Sequence, residues 1–198
     1  MAYEFFNEWA PIFMAKLQDD FDLSLEDSAA IIGNAGHESG GFKSLQEKKP
    51  VVPGSRGGYG IMQWTGPRRR DYEAYCSRNR LNPADMDTNY KFLFVELKGP
   101  EGAALTPLRA AKGLDKKVES FMNKFLRPGI PHLESRIIWA KRALQAWDQA
   151  QRPVRRSSDE VIAVQPEKVE ASVAPVSEAK GGLLNTILDL VVAAIRAR

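Results

Sequence analysis

Over residues 3–19, Phe6, Trp9, Phe13 and Leu17 fall on one face, which predicts an amphipathic first helix. Pro11 inside it predicts a kink, or the start of the main helix. Ser24 with Asp27 three residues later reads as a capping-box-like start. Leu25, Ala29, Ile32 and Ala35 continue that second helix at helical spacing. Ser39-Gly40-Gly41 ends it, because glycine takes the left-handed C-cap conformation cheaply. The stretch Tyr59–Gly66 alternates in part, carries aromatics and is bounded by glycines, so it predicts a short strand. Gln63 and Thr65 would share one side of that strand. Pro67 opens a helix with Tyr72, Tyr75 and Cys76 on one face. Residues 87–98 predict another, with Tyr90, Leu93, Phe94 and Leu97 inward, broken by Gly99-Pro100. Thr106-Pro107 reads as an N-cap followed by proline at the first helical position. Residues 115–126 turn Val118, Phe121, Met122 and Phe125 inward, until Arg127-Pro128-Gly129 stops them. The last core helix spans about 131–149, with Leu133, Ile137, Ala140, Leu144 and Trp147 inward. The expected fold class is mainly α, a helical domain with a small β-hairpin beside a cleft.

The pattern changes after residue 150. Residues 151–180 mix prolines, alanines, valines and charges without a sustained period and read as an extended linker. Residues 181–198 read as an amphipathic helix, with Asn185, Asp189 and Arg196 on a narrow polar face. Leu183, Leu184, Ile187, Leu188, Val191 and Ile195 fill the broad apolar arc. Such a helix is about 24 Å long at the usual rise, short of the roughly 30 Å hydrocarbon core. Residues 183–198 are therefore expected to lie on a membrane surface, with docking on a partner or on the core as alternatives. The expected organisation is a domain over 1–150, a linker over 151–180 and this terminal helix.

A chain of 198 residues suits one such domain with extra segments. Its net charge of +3 is mildly basic, which is no nucleic-acid footprint but suits an anionic wall polymer or membrane. Cys76 is the only cysteine, so no internal disulfide forms, and with His37 and His132 it makes no ordinary zinc site. No metal and no cofactor is expected. The N-terminus has no positive n-region, and acids and Pro11 interrupt its apolar run, so no signal peptide is expected. If the protein acts on a cell wall, it is expected to be made in a cytoplasm and to need a carrier across the inner membrane, such as a holin or a virion.

The chemistry concentrates between Ile31 and Gly66. Glu38 sits in the last turn of the second helix, where the negative end of the dipole disfavours a carboxylate anion. Apolar Phe42 and Trp64 nearby would favour the protonated form further, and a protonated carboxyl is what a general acid needs. Glu47, nine residues on, is the nearest second carboxylate. Gln63 and Thr65 are placed to bind a sugar or hold a water. The solvated readings stand beside these: Glu47 lies in a charged loop, Thr65 serves equally as turn chemistry, and Trp64 and Met62 are core residues by type. His37 is expected to orient the site rather than to transfer protons. Residues 48–58, rich in proline and glycine, suit a flap over the cleft. Arg68, Arg69 and Arg70 either meet wall carboxylates or form a solvated helix start.

GHESGGF, the nine-residue acid spacing and GYGIMQWTGPRR together resemble the lysozyme superfamily of peptidoglycan-cleaving enzymes. The nearest resemblance is to phage tail-type lysozymes and to phage endolysins related to glycoside hydrolase family 19. It implies a lysozyme-like α+β fold over roughly 1–150, with Glu38 as general acid and Glu47 as general base. It implies that Thr65 helps hold the attacking water. Tyr59 and Gln63 then match cleft-lining positions, and Arg136 in PGIPHLESRIIWA matches a recurring arginine at the entry of the last helix. By their own placement, Trp64, half core and half cleft, and His37, beside the acid, are the further substrate-binding candidates. The implied activity is a muramidase that cleaves the β-1,4 bond of peptidoglycan, for lysis or phage entry. The alternatives are a lytic transglycosylase with one catalytic glutamate, and a wall-binding tail module without catalysis. A peptidase using Cys76 and His132 is permitted by the residues, but Cys76 amid tyrosines reads as a buried thiol.

Overall fold

The computed structural model describes residues 3–48, 50 and 54–152. The predicted linker, the terminal helix and the centre of the 48–58 loop lie outside these residues, in whole or in part. Helix α1, Glu4–Phe21, buries Phe6, Ala10, Phe13, Met14, Leu17 and Phe21, and Pro11 sits inside it. Helix α2, Leu25–Glu38, starts where the sequence predicts. Ser24 Oγ accepts the Asp27 amide at 3.1 Å, and Asp27 Oδ2 accepts the Ser24 amide at 3.0 Å, a closed capping box. Asp27 also takes the Lys117 ammonium at 2.6 Å, with both side chains buried. Burial opposes its charge, but Lys117 and the Ser24 bonds outweigh that and hold the carboxyl below its ordinary pKa.

Helices α3, Gly66–Asn79, and α4, Met86–Lys98, follow. A 3-10 turn at Gly102–Ala104 runs straight into α5, Leu105–Ala110, so Thr106 is not the N-cap but lies inside the first turn with Pro107. Proline is tolerated there because the first turn's amides have no intrahelical acceptor. Helix α6, Leu114–Phe121, passes into a π-helical turn, Met122–Leu126, and Arg127 closes it in the left-handed region. The final helix, α7, is Leu133–Gln151.

Helix α7 packs chiefly on α2, and the seam is built from small residues. A Cβ on Gly33 would lie 2.5 Å from Ala140, so glycine is required for the backbones to approach. Ala140, Ala143 and Ala146 are buried, whereas Leu133, Ile137, Leu144 and Trp147 pack only part-buried at the margins. The inward face of α7 is thus rotated from the predicted one, because close approach selects alanine at the centre and leaves the large residues to flank it.

No strand occurs among the described residues. The expected hairpin is replaced by two isolated antiparallel bridges, Gln46 with Tyr59 and Tyr59 with Trp64. Tyr59 and Trp64 exchange both backbone hydrogen bonds, at 3.0 and 2.8 Å, around a tight turn. Gly60 (φ 81°) and Gln63 (φ 48°) turn the chain in the left-handed region, which an alternating strand cannot accommodate. A Cβ on Gly60 would meet the Trp64 ring at 2.3 Å, so the turn closes directly over that ring.

Candidate active site

The α2 C-terminus carries Glu38, the acid expected from the sequence. Ser39 Oγ donates to the Ala35 carbonyl at 2.7 Å and accepts the Phe42 amide at 3.0 Å. Gly40, Gly41 and Phe42 then take positive φ, and the chain leaves the helix directly after Glu38. A Cβ on Gly41 would strike Trp139 at 2.6 Å, which fixes this exit against α7. The two apolar residues expected beside the carboxyl are both buried in the core. Phe42 packs into the core against Phe6 and Phe13, and Trp64 packs elsewhere. The group against Glu38 is Arg136 of α7, whose guanidinium lies 2.7 Å from Oε1. The arginine side chain is 2% exposed and the glutamate 19%, so the acid keeps an open edge.

Arg136 is held on further sides. Its Nε donates to the Pro131 carbonyl at 2.7 Å, and Nη1 to Asn34 Oδ1 at 3.2 Å. Asn34 is fully buried and gives Nδ2 to the Ala30 and Val118 carbonyls at 3.0 and 3.1 Å. A second clasp sits beside the first. His37 Nδ1 lies 2.9 Å from Ser135 Oγ, and the His37 and His132 rings are 5.5 Å apart. Adjacent residues of α2, His37 and Glu38, therefore engage adjacent residues of α7, Ser135 and Arg136. Asn34 and Ser135 escape a sequence reading. Asn34 alone left a signal, a polar side chain on an apolar helix face one turn before the acid.

Burial, then Arg136 and His132, lowers the His37 pKa to about 4, so the ring is neutral near pH 7. This makes a prediction. Between its unfolded value of 6.5 and about 4, the unfolded chain binds a proton on this ring and the folded chain does not. Stability then falls as pH drops through that window, by about 2 kcal/mol for a half-buried ring. Urea unfolding across the window should show His37→Gln with a shallower pH dependence than wild type.

Glu47 lies across the following loop. Its Oε2 accepts the Gly58 amide at 2.7 Å, and its own amide donates to the Gly58 carbonyl at 2.9 Å. Gly57 beside it takes φ 71°, the left-handed region that favours glycine. Gln46 and Arg69 complete this clasp at the root of the 48–56 segment. Gln46 Nε2 donates to the Arg56 carbonyl at 2.9 Å, and Arg69 Nη1 to the Gly57 carbonyl at 2.9 Å. These contacts involve Glu47 with the loop; none of them joins it to Glu38.

The remaining predicted site residues divide. Thr65 is exposed at the N-cap of α3. Tyr59 is half-buried under Arg69, 5.3 Å from the ring centre to the guanidinium, and burial pushes its phenol above the ordinary pKa despite that cation. Gln63 turns back and gives Nε2 to the Ser44, Leu45 and Gly60 carbonyls at 3.2, 3.0 and 2.9 Å. It ties the turn to the loop and does not share a strand face with Thr65. Trp64 is 1% exposed, a core residue and not a sugar platform. Its indole donates to Glu96 at 2.6 Å, and its ring packs on Tyr72 and Phe92. Arg68 and Arg69 do not reach outward for carboxylates as a wall-binding patch would. Arg68 forks onto Glu96 at 2.6 and 2.8 Å, and Arg69 pairs with Glu73 at 3.0 Å. Arg70 is exposed.

Among the described residues, no group of three His, Cys, Asp or Glu side chains is placed to hold a metal ion. No helix among them is long and apolar enough to cross a membrane.

The described residues form a helical domain with a braced carboxylate at the end of its second helix. A family model described as phage tail lysozyme matches residues 10–147, and the chain belongs to that family. No curated protein and no solved structure matches it. Membership gives the coarse function, lysozyme-like degradation of peptidoglycan.

Proposed function

We propose that this protein cleaves the β-1,4 glycosidic bond of peptidoglycan as a muramidase, with Glu38 as the proton donor to the leaving oxygen. The observation that carries this reading is the seat of Glu38: a part-exposed carboxyl at a helix end, fixed through Oε1 by a buried, triply engaged arginine. Such a fixed carboxyl meets the need for a positioned acid, since proton transfer demands geometry first. In the two-acid version, Glu47 activates a water held near Thr65 and the anomeric configuration inverts. The family's description as tail lysozyme supports delivery with a virion, so that the enzyme opens the wall at entry.

One observation favours a second reading. Glu47 Oε2 already accepts the Gly58 amide, and its backbone ties the same loop, so its placement is accounted for without catalysis. Glu38 would then work as the sole carboxylate of a lytic transglycosylase, with the sugar's own hydroxyl closing the product. Mass spectrometry of digested, purified peptidoglycan separates the two. Reducing ends support hydrolysis, and anhydro-muramyl ends support the transglycosylase. Cut peptides, or no products, would sink both. Glu47→Gln keeps an oxygen for the Gly58 amide, so the loop should survive the change. The two-acid version expects its turnover to fall about 100-fold or more; near-normal turnover would leave Glu38 alone.

A further inference from the structure

We propose that Asn34 is a positioning residue for the acid, acting through Arg136; the inference rests on Glu38 being the proton donor. Its amide is locked by its own donors. Both Nδ2 contacts go to backbone carbonyls, Ala30 in its own helix and Val118 in α6, at 3.0 and 3.1 Å. Only the oxygen is left to face α7, and it meets Arg136 Nη1 at 3.2 Å. The same guanidinium presents another nitrogen to Glu38 Oε1 at 2.7 Å. A guanidinium is a rigid planar fork, so fixing two of its nitrogens fixes where the third points. Asn34 and the Pro131 carbonyl therefore set the orientation of the group that holds Glu38.

A role confined to joining α2 and α6 would need only the amide hydrogens. Glutamine would be too long for this buried seat. Aspartate, the same size, would lose both donors and present a second carboxylate to Arg136. The position thus requires an amide that donates to two backbones and accepts from one cation. Supporting hydrogen bonds of this kind keep a reacting group within the narrow range that efficient transfer needs.

The test uses the full chain and soluble peptidoglycan oligosaccharides, with kcat and KM measured separately from acid to neutral pH. Asn34→Asp should lower kcat about 10- to 100-fold and leave KM within about twofold, because substrate contacts are untouched while the acid is misplaced. Its alkaline limb should move to higher pH, since the introduced carboxylate competes with Glu38 for the Arg136 charge. Asn34→Ser, too short to reach the guanidinium, should lower kcat without that movement, and it carries the comparison if Asn34→Asp does not fold. A purely structural Asn34 predicts otherwise: folded variants with the wild-type pH profile and with activity lost only in proportion to unfolded protein. That result, with Glu38→Gln inactive, overturns the proposal and leaves the assignment of Glu38 standing. A fully active Glu38→Gln overturns both.

Discussion

Glu38→Gln should abolish measurable lysis, lowering kcat by about 1,000-fold or more, while the protein remains folded. A positioned general acid contributes roughly 100- to 10,000-fold by itself, and an amide cannot deliver the proton. The fold should survive because of what surrounds the position. Gln keeps an oxygen able to accept from Arg136, and that guanidinium still donates to the Pro131 carbonyl and Asn34. The loss of the charge pair should cost about 2 to 3 kcal/mol, because the Gln oxygen still accepts but a guanidinium that is 2% exposed loses its counter-charge. Circular dichroism and a thermal melt beside a turbidity assay decide it. A folded Glu38→Gln protein that still clears peptidoglycan would remove Glu38 from the mechanism, and an unfolded one would show that the carboxylate is chiefly a structural partner of Arg136.

The place of Glu38 at the end of α2 was legible because every signal for it is local. The capping box from Ser24 to Asp27 set where α2 begins, and Ser39-Gly40-Gly41 set where it ends. The position of Glu38 in the last turn follows from those boundaries alone. What surrounds the acid was not legible, since its partners come from far along the chain. Asn34 and Arg136 meet across 102 residues, and His37 and Ser135 across 98. Local pattern also misread the stretch from Tyr59 to Gly66. Aromatics between glycines look the same in a strand and in a tight turn, and only the positive φ at Gly60 and Gln63 separates them. Trp64 was expected half in the cleft because no local feature announces Glu96, the partner that receives its indole 32 residues away. Arg68 likewise reads as a surface cation until Glu96 and the Phe125 carbonyl are in place to bind it. The α7 face went astray for a different reason. Hydrophobic periodicity favours large residues, so Ala140 was read as inward beside Leu133, Ile137, Leu144 and Trp147, whereas the buried Ala143 and Ala146 were not.

Arg136→Met should be the more damaging change to the fold, though it alters no group that transfers a proton. Methionine fills much of the same volume but satisfies none of the acceptors. The Pro131 carbonyl, Asn34 Oδ1 and Glu38 Oε1 all lose a donor together. Removing one partner of a buried ion pair typically costs about 3 to 5 kcal/mol, because the other charge stays buried and uncompensated. Glu38 is 19% exposed and can recover some hydration, so the lower end applies, about 3 kcal/mol. For a domain of this size that corresponds to a fall in Tm of about 10 °C. Activity should fall as well, in the fraction that remains folded, because the carboxyl no longer has a fixed seat. Arg136→Lys separates the two effects. It restores a charge for Glu38 but not the planar fork that also reaches Asn34 and Pro131. Lysine should therefore recover part of the Tm and little of the kcat. A lysine enzyme with wild-type turnover would show that Arg136 supplies charge alone, and that the geometry around Glu38 is set elsewhere.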